Sequence, residues 1–171
     1  MTAKFLLDRP NLIWLEDRES TAVVEVGEAR RVGCAIHLRA NPAEIVALME
    51  EELGTAPAPD MIEKLRLAFI IDVMIAGLLD LKQLGVKHSE TNGGLNGGYV
   101  FTDRVLRDAA SPYCFRPVAF LSERELTNDL KEDLNYLRDR TDDKGKPHGK
   151  IYYFQKSSEG LEKLKSFLRT L

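Results

Sequence analysis

At 171 residues with 44% hydrophobic content, the chain is long for one small domain and short for two, and it can bury one substantial core. A net charge of -3 gives no electrostatic footprint for nucleic acid, and no apolar run reaches the roughly 20 residues of a spanning helix. Cys34 and Cys114 lie far apart without a CxxC partner and no charged-then-apolar leader opens the chain, so a reducing cytoplasm is the expected compartment.

NLIWLED, Asn11 to Asp17, is an apolar strand ending on two acids. STAVVEVGEARRVG follows as a helix closed by Gly33, although its valines favour a strand. CAIHLRA, Cys34 to Ala40, is strand-like. PAEIVALMEEEL places Pro42 at a helix start and Ile45, Leu48 and Met49 on one side. GTAPAPD reads as a surface loop, after which MIEKLR leads into FIIDVMIAG, Phe69 to Gly77. This short apolar run has the pattern of a buried parallel strand, and Asp72 interrupts it.

GLLDLKQLGVKHSETNGGLNGG is a short apolar piece running into a Gly-, Ser- and Asn-rich loop. No GK[ST] follows its glycines, so Gly93, Gly94, Gly97 and Gly98 read as flexibility rather than a phosphate cradle. YVFTDRVLRD resumes as a helix offering Val100, Val105 and Leu106 to a core. FRPVAFL, Phe115 to Leu121, is a strand, and SERELTNDLKEDLNYLRDR is a helix with Leu126, Leu130, Leu134 and Leu137 at helical spacing. After the polar turn DDKGKPHGK, KIYYFQK is the last strand. GLEKLKSFLRTL closes as an amphipathic helix with Leu161, Leu164, Phe167, Leu168 and Leu171 on one face. His37, His88 and His148 sit on different segments and show no metal spacing.

The order is β-α repeated about five times, with crossovers long enough to keep neighbouring strands parallel. It predicts an α/β fold: a doubly wound, five-stranded parallel sheet flanked by helices, forming a single domain over residues 1–171. Function in such sheets gathers outside the carboxyl ends of the strands. The residues there are Glu16 and Asp17, Asp72, Ser122 and Lys156. A carboxylate after Phe-Ile-Ile is costly to bury without a partner. Three acids on one edge repel, and a divalent cation with oxygen preference, Mg²⁺, makes such a cluster tolerable, while Lys156 adds a fixed positive charge. Metal and ammonium together could hold a phosphoryl group on a carboxylate, with the Ser122 hydroxyl donating to it.

The strand ends ED, D-x-M-I-x-G, S and K resemble the receiver domain of two-component response regulators, the CheY-like family, from about Asn11 to Leu171. The resemblance implies a flavodoxin/CheY-like three-layer sandwich. It implies Glu16 and Asp17 as a Mg²⁺-binding pair, Asp72 as phosphoacceptor and Met74 as a backbone-carbonyl ligand. Ser122 takes the place of the switch hydroxyl, Tyr153 that of the aromatic that moves with it, and Lys156 that of the phosphate-contacting cation. Three positions depart from the family pattern: Ala76 and Ser157 stand where proline is usual, and Glu123 where a small residue is usual. Ser122 also fits a capping box with Glu125, and the switch and cap roles are compatible.

The leading expectation is a phosphorylation-controlled, stand-alone receiver in a phosphorelay. A histidine kinase or phosphotransfer protein supplies the phosphoryl group and a separate output protein receives the signal. No output domain is visible, and no direct contact with nucleic acid or membrane is expected. The outward sides of the last two helices, rich in Lys and Asp, are available as a partner or dimer surface. The alternative is a non-phosphorylated pseudo-receiver acting as a protein-interaction module. A small Mg²⁺-dependent phosphohydrolase comes third, because Val73 and Met74 supply no general acid beside Asp72.

Overall fold

Every residue of NLIWL is buried, which follows from a strand with sheet neighbours on both edges and helices on both faces. In the computed structural model, which describes residues 4–75 and 96–171, this segment is β1, Asn11–Leu15. The readings made at Ala76, Gly93 and Gly94 and across the apolar piece before them lie outside the described residues. The elements that follow are α1 (Val23–Arg31), β2 (Ala35–Arg39), α2 (Pro42–Leu53), α3 (Pro59–Lys64) and β3 (Leu67–Ile71). After them come α4 (Gly97–Phe101), β4 (Val118–Ser122), α5 (Asn128–Asp139), β5 (Ile151–Gln155) and α6 (Ser158–Leu168). All strand pairs are parallel, in the order β2-β1-β3-β4-β5.

Side-chain alternation along the strands sorts the core into two layers. Ile13, Leu15, Phe69, Ile71, Val118 and Phe120 face one way, onto Ile45 and Met49 of α2, Phe101 of α4 and Leu130 and Leu134 of α5. Leu12, Trp14, Ile70 and Leu121 face the other way, onto Val26 and Ala29 of α1 and Leu164, Phe167 and Leu168 of α6. The expected doubly wound, three-layer sandwich is therefore the observed one.

Local chemistry sets most boundaries. Asn41 caps α2 by accepting from Glu44 N at 2.9 Å, and Pro42 occupies the first turn. Gly33 follows α1 at φ 94°, the left-handed turn that lets a helix stop and the chain enter β2. Four expectations need correction. Helix α5 does not begin at Ser122: Ser122 completes β4, and Thr127 caps the helix by accepting from Leu130 N at 3.3 Å. Leu126 therefore precedes the helix and is exposed rather than core. GTAPAPD is only partly loop, because Pro59 and Asp60 already belong to α3.

Gly97 and Gly98 are the fourth correction. They are buried residues opening α4, not flexible linkers. A Cβ on Gly98 would stand 1.8 Å from the Asp72 carbonyl oxygen, and one on Gly97 would stand 2.7 Å from that of Ile75. The missing side chains allow close approach of two backbones. Beyond α4 the chain widens into a π-helical turn, Thr102–Leu106.

Candidate functional site

The ladder hydrogen bonds bring the predicted strand-end residues to one edge. Asp72 N–H donates to Leu15 O at 2.9 Å and Glu16 N–H to Arg39 O at 3.0 Å, so the chain leaves β1 and β3 side by side. Lys156 N–H donates to Ser122 O at 2.8 Å, which aligns the ends of β4 and β5 in the same way. Glu16, Asp17 and Asp72 each offer a carboxylate oxygen, and these oxygens lie within 4.8 Å of one another. Glu16 and Asp72 are buried and Asp17 is half-buried.

Lys156 enters this cluster from β5. Its Nζ donates to Glu16 Oε2 at 2.7 Å and to Thr21 Oγ1 at 3.0 Å, and stands 3.8 Å from Asp72 Oδ2. The lysine is thus seated on Glu16, with Asp72 just beyond hydrogen-bond reach. Glu16 Oε1 also accepts from Arg18 N–H at 3.0 Å, and Asp72 Oδ1 accepts from Met74 N–H at 3.1 Å. Burial is the main force on Asp72. It disfavours the carboxylate, the negative charge of Glu16 adds to that, and Lys156 only partly offsets both, so the carboxyl's pKa rises from 3.8 to about 7.

Ser122, fully buried, closes β4, and its Oγ accepts from Arg124 N–H at 3.2 Å. The hydroxyl therefore serves the turn after the strand and not the capping box with Glu125. Tyr153 projects from β5 to the same turn and donates its hydroxyl hydrogen to the Arg124 carbonyl. Burial raises the pKa of this hydroxyl, with a hydrogen bond to Ser122 opposing the shift. Glu123 is exposed and is not one of the three converging acids. Ser157, in the position where proline was the family expectation, caps α6 by accepting from Gly160 N–H at 3.0 Å. No cis peptide bond occurs among the described residues.

Two contributors escaped the sequence reading. Thr21 lies on a 3₁₀ turn, Glu19–Thr21, where its hydroxyl donates to Arg18 O at 2.8 Å while accepting from Lys156. Its signal in sequence is only a Ser-Thr pair ahead of a helix. Gly98 donates its N–H to Val73 O at 2.9 Å, bracing the turn that follows Asp72.

The donor set suits a metal. Three acids against one lysine leave the cluster with excess negative charge, and carboxylate oxygens prefer a hard divalent cation such as Mg²⁺ or Ca²⁺. The buried Asp72 would ionise more readily with such a charge beside it.

No family model matches the sequence, and no curated protein is detectably similar to it in sequence. Its fold does match solved structures. The chemotaxis response regulator CheY4 of Vibrio cholerae is 16% identical, with 95% of this chain and 99% of that one covered at a TM-score of 0.57. The phosphorylated cyanobacterial phytochrome response regulator RcpA is 12% identical over 95% of this chain and 90% of its own, at a TM-score of 0.55. The N-terminal domain of a response regulator receiver protein from Methanoculleus marisnigri is 12% identical over 94% and 95%, at 0.51. The chain has the CheY-like receiver fold. No described helix is long and apolar enough to cross a membrane.

Proposed function

We propose that this chain acts as one receiver-like domain in which Asp72 accepts a phosphoryl group from a phosphohistidine on a kinase or phosphotransfer protein. The observation that carries this reading is the placement of a buried Asp72 among Glu16, Asp17 and Lys156 at the carboxyl edge of a receiver-fold sheet. An Asp72 carboxylate oxygen attacks phosphorus, the O–P bond forms, the P–N bond breaks, and its electron pair leaves on the imidazole nitrogen, which takes up a proton.

Glu16, Asp17, Asp72 and the Met74 carbonyl would hold Mg²⁺, whose charge neutralises the phosphoryl oxygens when bound. Lys156 then moves its ammonium from Glu16 toward Asp72, a shift made short by their 2.7 and 3.8 Å separations. Ser122 donates to a phosphoryl oxygen by leaving the Arg124 amide, and Tyr153, bonded to the Arg124 carbonyl, follows that turn. This relay carries the phosphorylation state to the outer faces of α5 and α6, where a separate output protein would read it.

Incubation with acetyl phosphate and Mg²⁺ followed by intact-mass measurement tests the reading. The expected result is a gain of one phosphoryl group that is absent in Asp72→Asn. A folded protein that gains nothing from acetyl phosphate or from a panel of phosphorylated histidine kinases refutes it and favours an interaction module with a silent receiver shape.

A further inference from the structure

A cavity of about 290 Å³ opens at the other end of the sheet. Helix α2 runs from the carboxyl end of β2 back toward α3, which leads into β3, so its last turns, with the 54–57 bend, form one wall. The π-helical turn and the segment down to Tyr113 form the other. Val46, Met49, Pro57, Val105 and Tyr113 give it an apolar floor. A π turn is an uncommon way to end a helix and is often found at functional sites; here it sets Arg104 and Val105 into the cavity wall.

Tyr113 is the informative residue. It is 6% exposed, and its ring is fixed edge-on against Phe69 of β3 with centroids 6.0 Å apart. Its hydroxyl makes no hydrogen bond to a described residue and is not one of the buried polar atoms left without a partner, so it opens to the cavity and is free to accept from a ligand. Glu50 is the charge that faces it, and burial together with Glu50 pushes its pKa up to about 12, so the hydroxyl stays neutral and keeps its proton. Both residues line the cavity. Asp108 adds a second carboxylate to the rim, so two acids stand against Arg104, the one cation among the described lining residues; Arg104 lies 3.6 Å from Asp103 Oδ2, an acid it shares with Arg140.

We propose that this cavity is a binding site for a small primary amine with an apolar body of about phenyl size. Its ammonium would sit between the Glu50 carboxylate and the Tyr113 hydroxyl oxygen, and its body would rest on Met49, Val105 and the Tyr113 ring. A carboxylate ligand of the same shape would meet two acids and is disfavoured. The site is distinct from the acidic edge and does not depend on whether Asp72 is phosphorylated.

Titration of ¹⁵N-labelled protein with phenethylamine, followed by amide chemical shifts, tests this. Saturable shifts are expected around Val46–Glu50, Val105 and Tyr113, with 3-phenylpropionate binding about tenfold or more weakly. Tyr113→Phe keeps the ring against Phe69 and is expected to weaken the amine several-fold while leaving the amide spectrum otherwise native. Glu50→Gln, an exposed substitution, is expected to remove the preference for amine over acid. Shifts scattered away from the cavity, no shifts at all, equal binding of acid and amine, or full affinity in both variants would each overturn the proposal.

Discussion

Replacing Asp72 with Asn is expected to stabilise the metal-free protein at alkaline pH, although it removes the proposed phosphoacceptor. In the fold the Asp72 carboxyl has its pKa raised from 3.8 to about 7, chiefly by burial and by Glu16. A carboxyl that binds its proton more tightly when folded adds stability that is fully present below about pH 4 and is lost as pH rises through 7. At pH 8 the folded state therefore carries the ionisation cost in full, which is at most about 4 kcal/mol for a pKa displaced that far. Asn has the same shape, can still accept from Met74 N–H, and never ionises. Lys156 is not orphaned, because Glu16 and Thr21 keep it at 2.7 and 3.0 Å. Urea unfolding in EDTA at pH 5 and pH 8 reads this directly. Wild type should lose stability between the two relative to Asp72→Asn, with the variant ahead by about 2–4 kcal/mol at pH 8. A variant no more stable than wild type at pH 8, or one with the same change between the two pH values, would show that Asp72 is not held in a carboxylate-hostile site.

Adding Mg²⁺ to the wild-type protein should raise its melting temperature, by about 2.7 kcal/mol of stability at a hundredfold excess over the dissociation constant, and Asp17→Ala should abolish most of that gain. The effect should strengthen from pH 6 to pH 8, because the cation displaces the Asp72 proton; calorimetric titration at the two pH values checks it. Gly98→Ala drives a Cβ to 1.8 Å from the Asp72 carbonyl oxygen and is expected to cost about 2–3 kcal/mol in denaturant unfolding and to reduce phosphoryl gain in the mass assay. Arg107→Leu should cost about 2–4 kcal/mol by the same unfolding measurement. The fully buried guanidinium donates to the carbonyls of Tyr113, Cys114 and Gly149, and burial lowers its pKa only to about 10, so it remains charged at neutral pH.

The sheet was legible because each strand is a short apolar run bounded by polar or glycine-rich chain, and the strand-end acids and lysine stand out against those runs. What sequence could not resolve depends on distance in space. S-x-x-E at Ser122 and the Thr127 cap are competing helix starts five residues apart, and the ladder with β5 decides between them by keeping Ser122 in the sheet. Gly97 and Gly98 look like flexible linkers because composition cannot distinguish free space from another backbone pressed against the glycine. Thr21 meets Lys156 across 135 residues, a partnership with no local signature. The preference of Lys156 for Glu16 over Asp72 is a matter of about an ångström, which depends on how β1 and β5 flank β3 and β4.

The ion pair between Glu16 and Lys156 joins residues 140 apart in the chain. During synthesis at about 5–20 residues per second, Glu16 emerges from the ribosome roughly 7–28 s before its lysine does. Through that interval Glu16 lacks its ammonium, and once β4 has been made it lacks its outer neighbour until β5 follows, so a nascent chain stalled before β5 is left with an open sheet edge and an uncompensated acidic cluster. Competence for the proposed phosphoryl transfer should thus appear abruptly, as the final strand docks, rather than growing with each element translated.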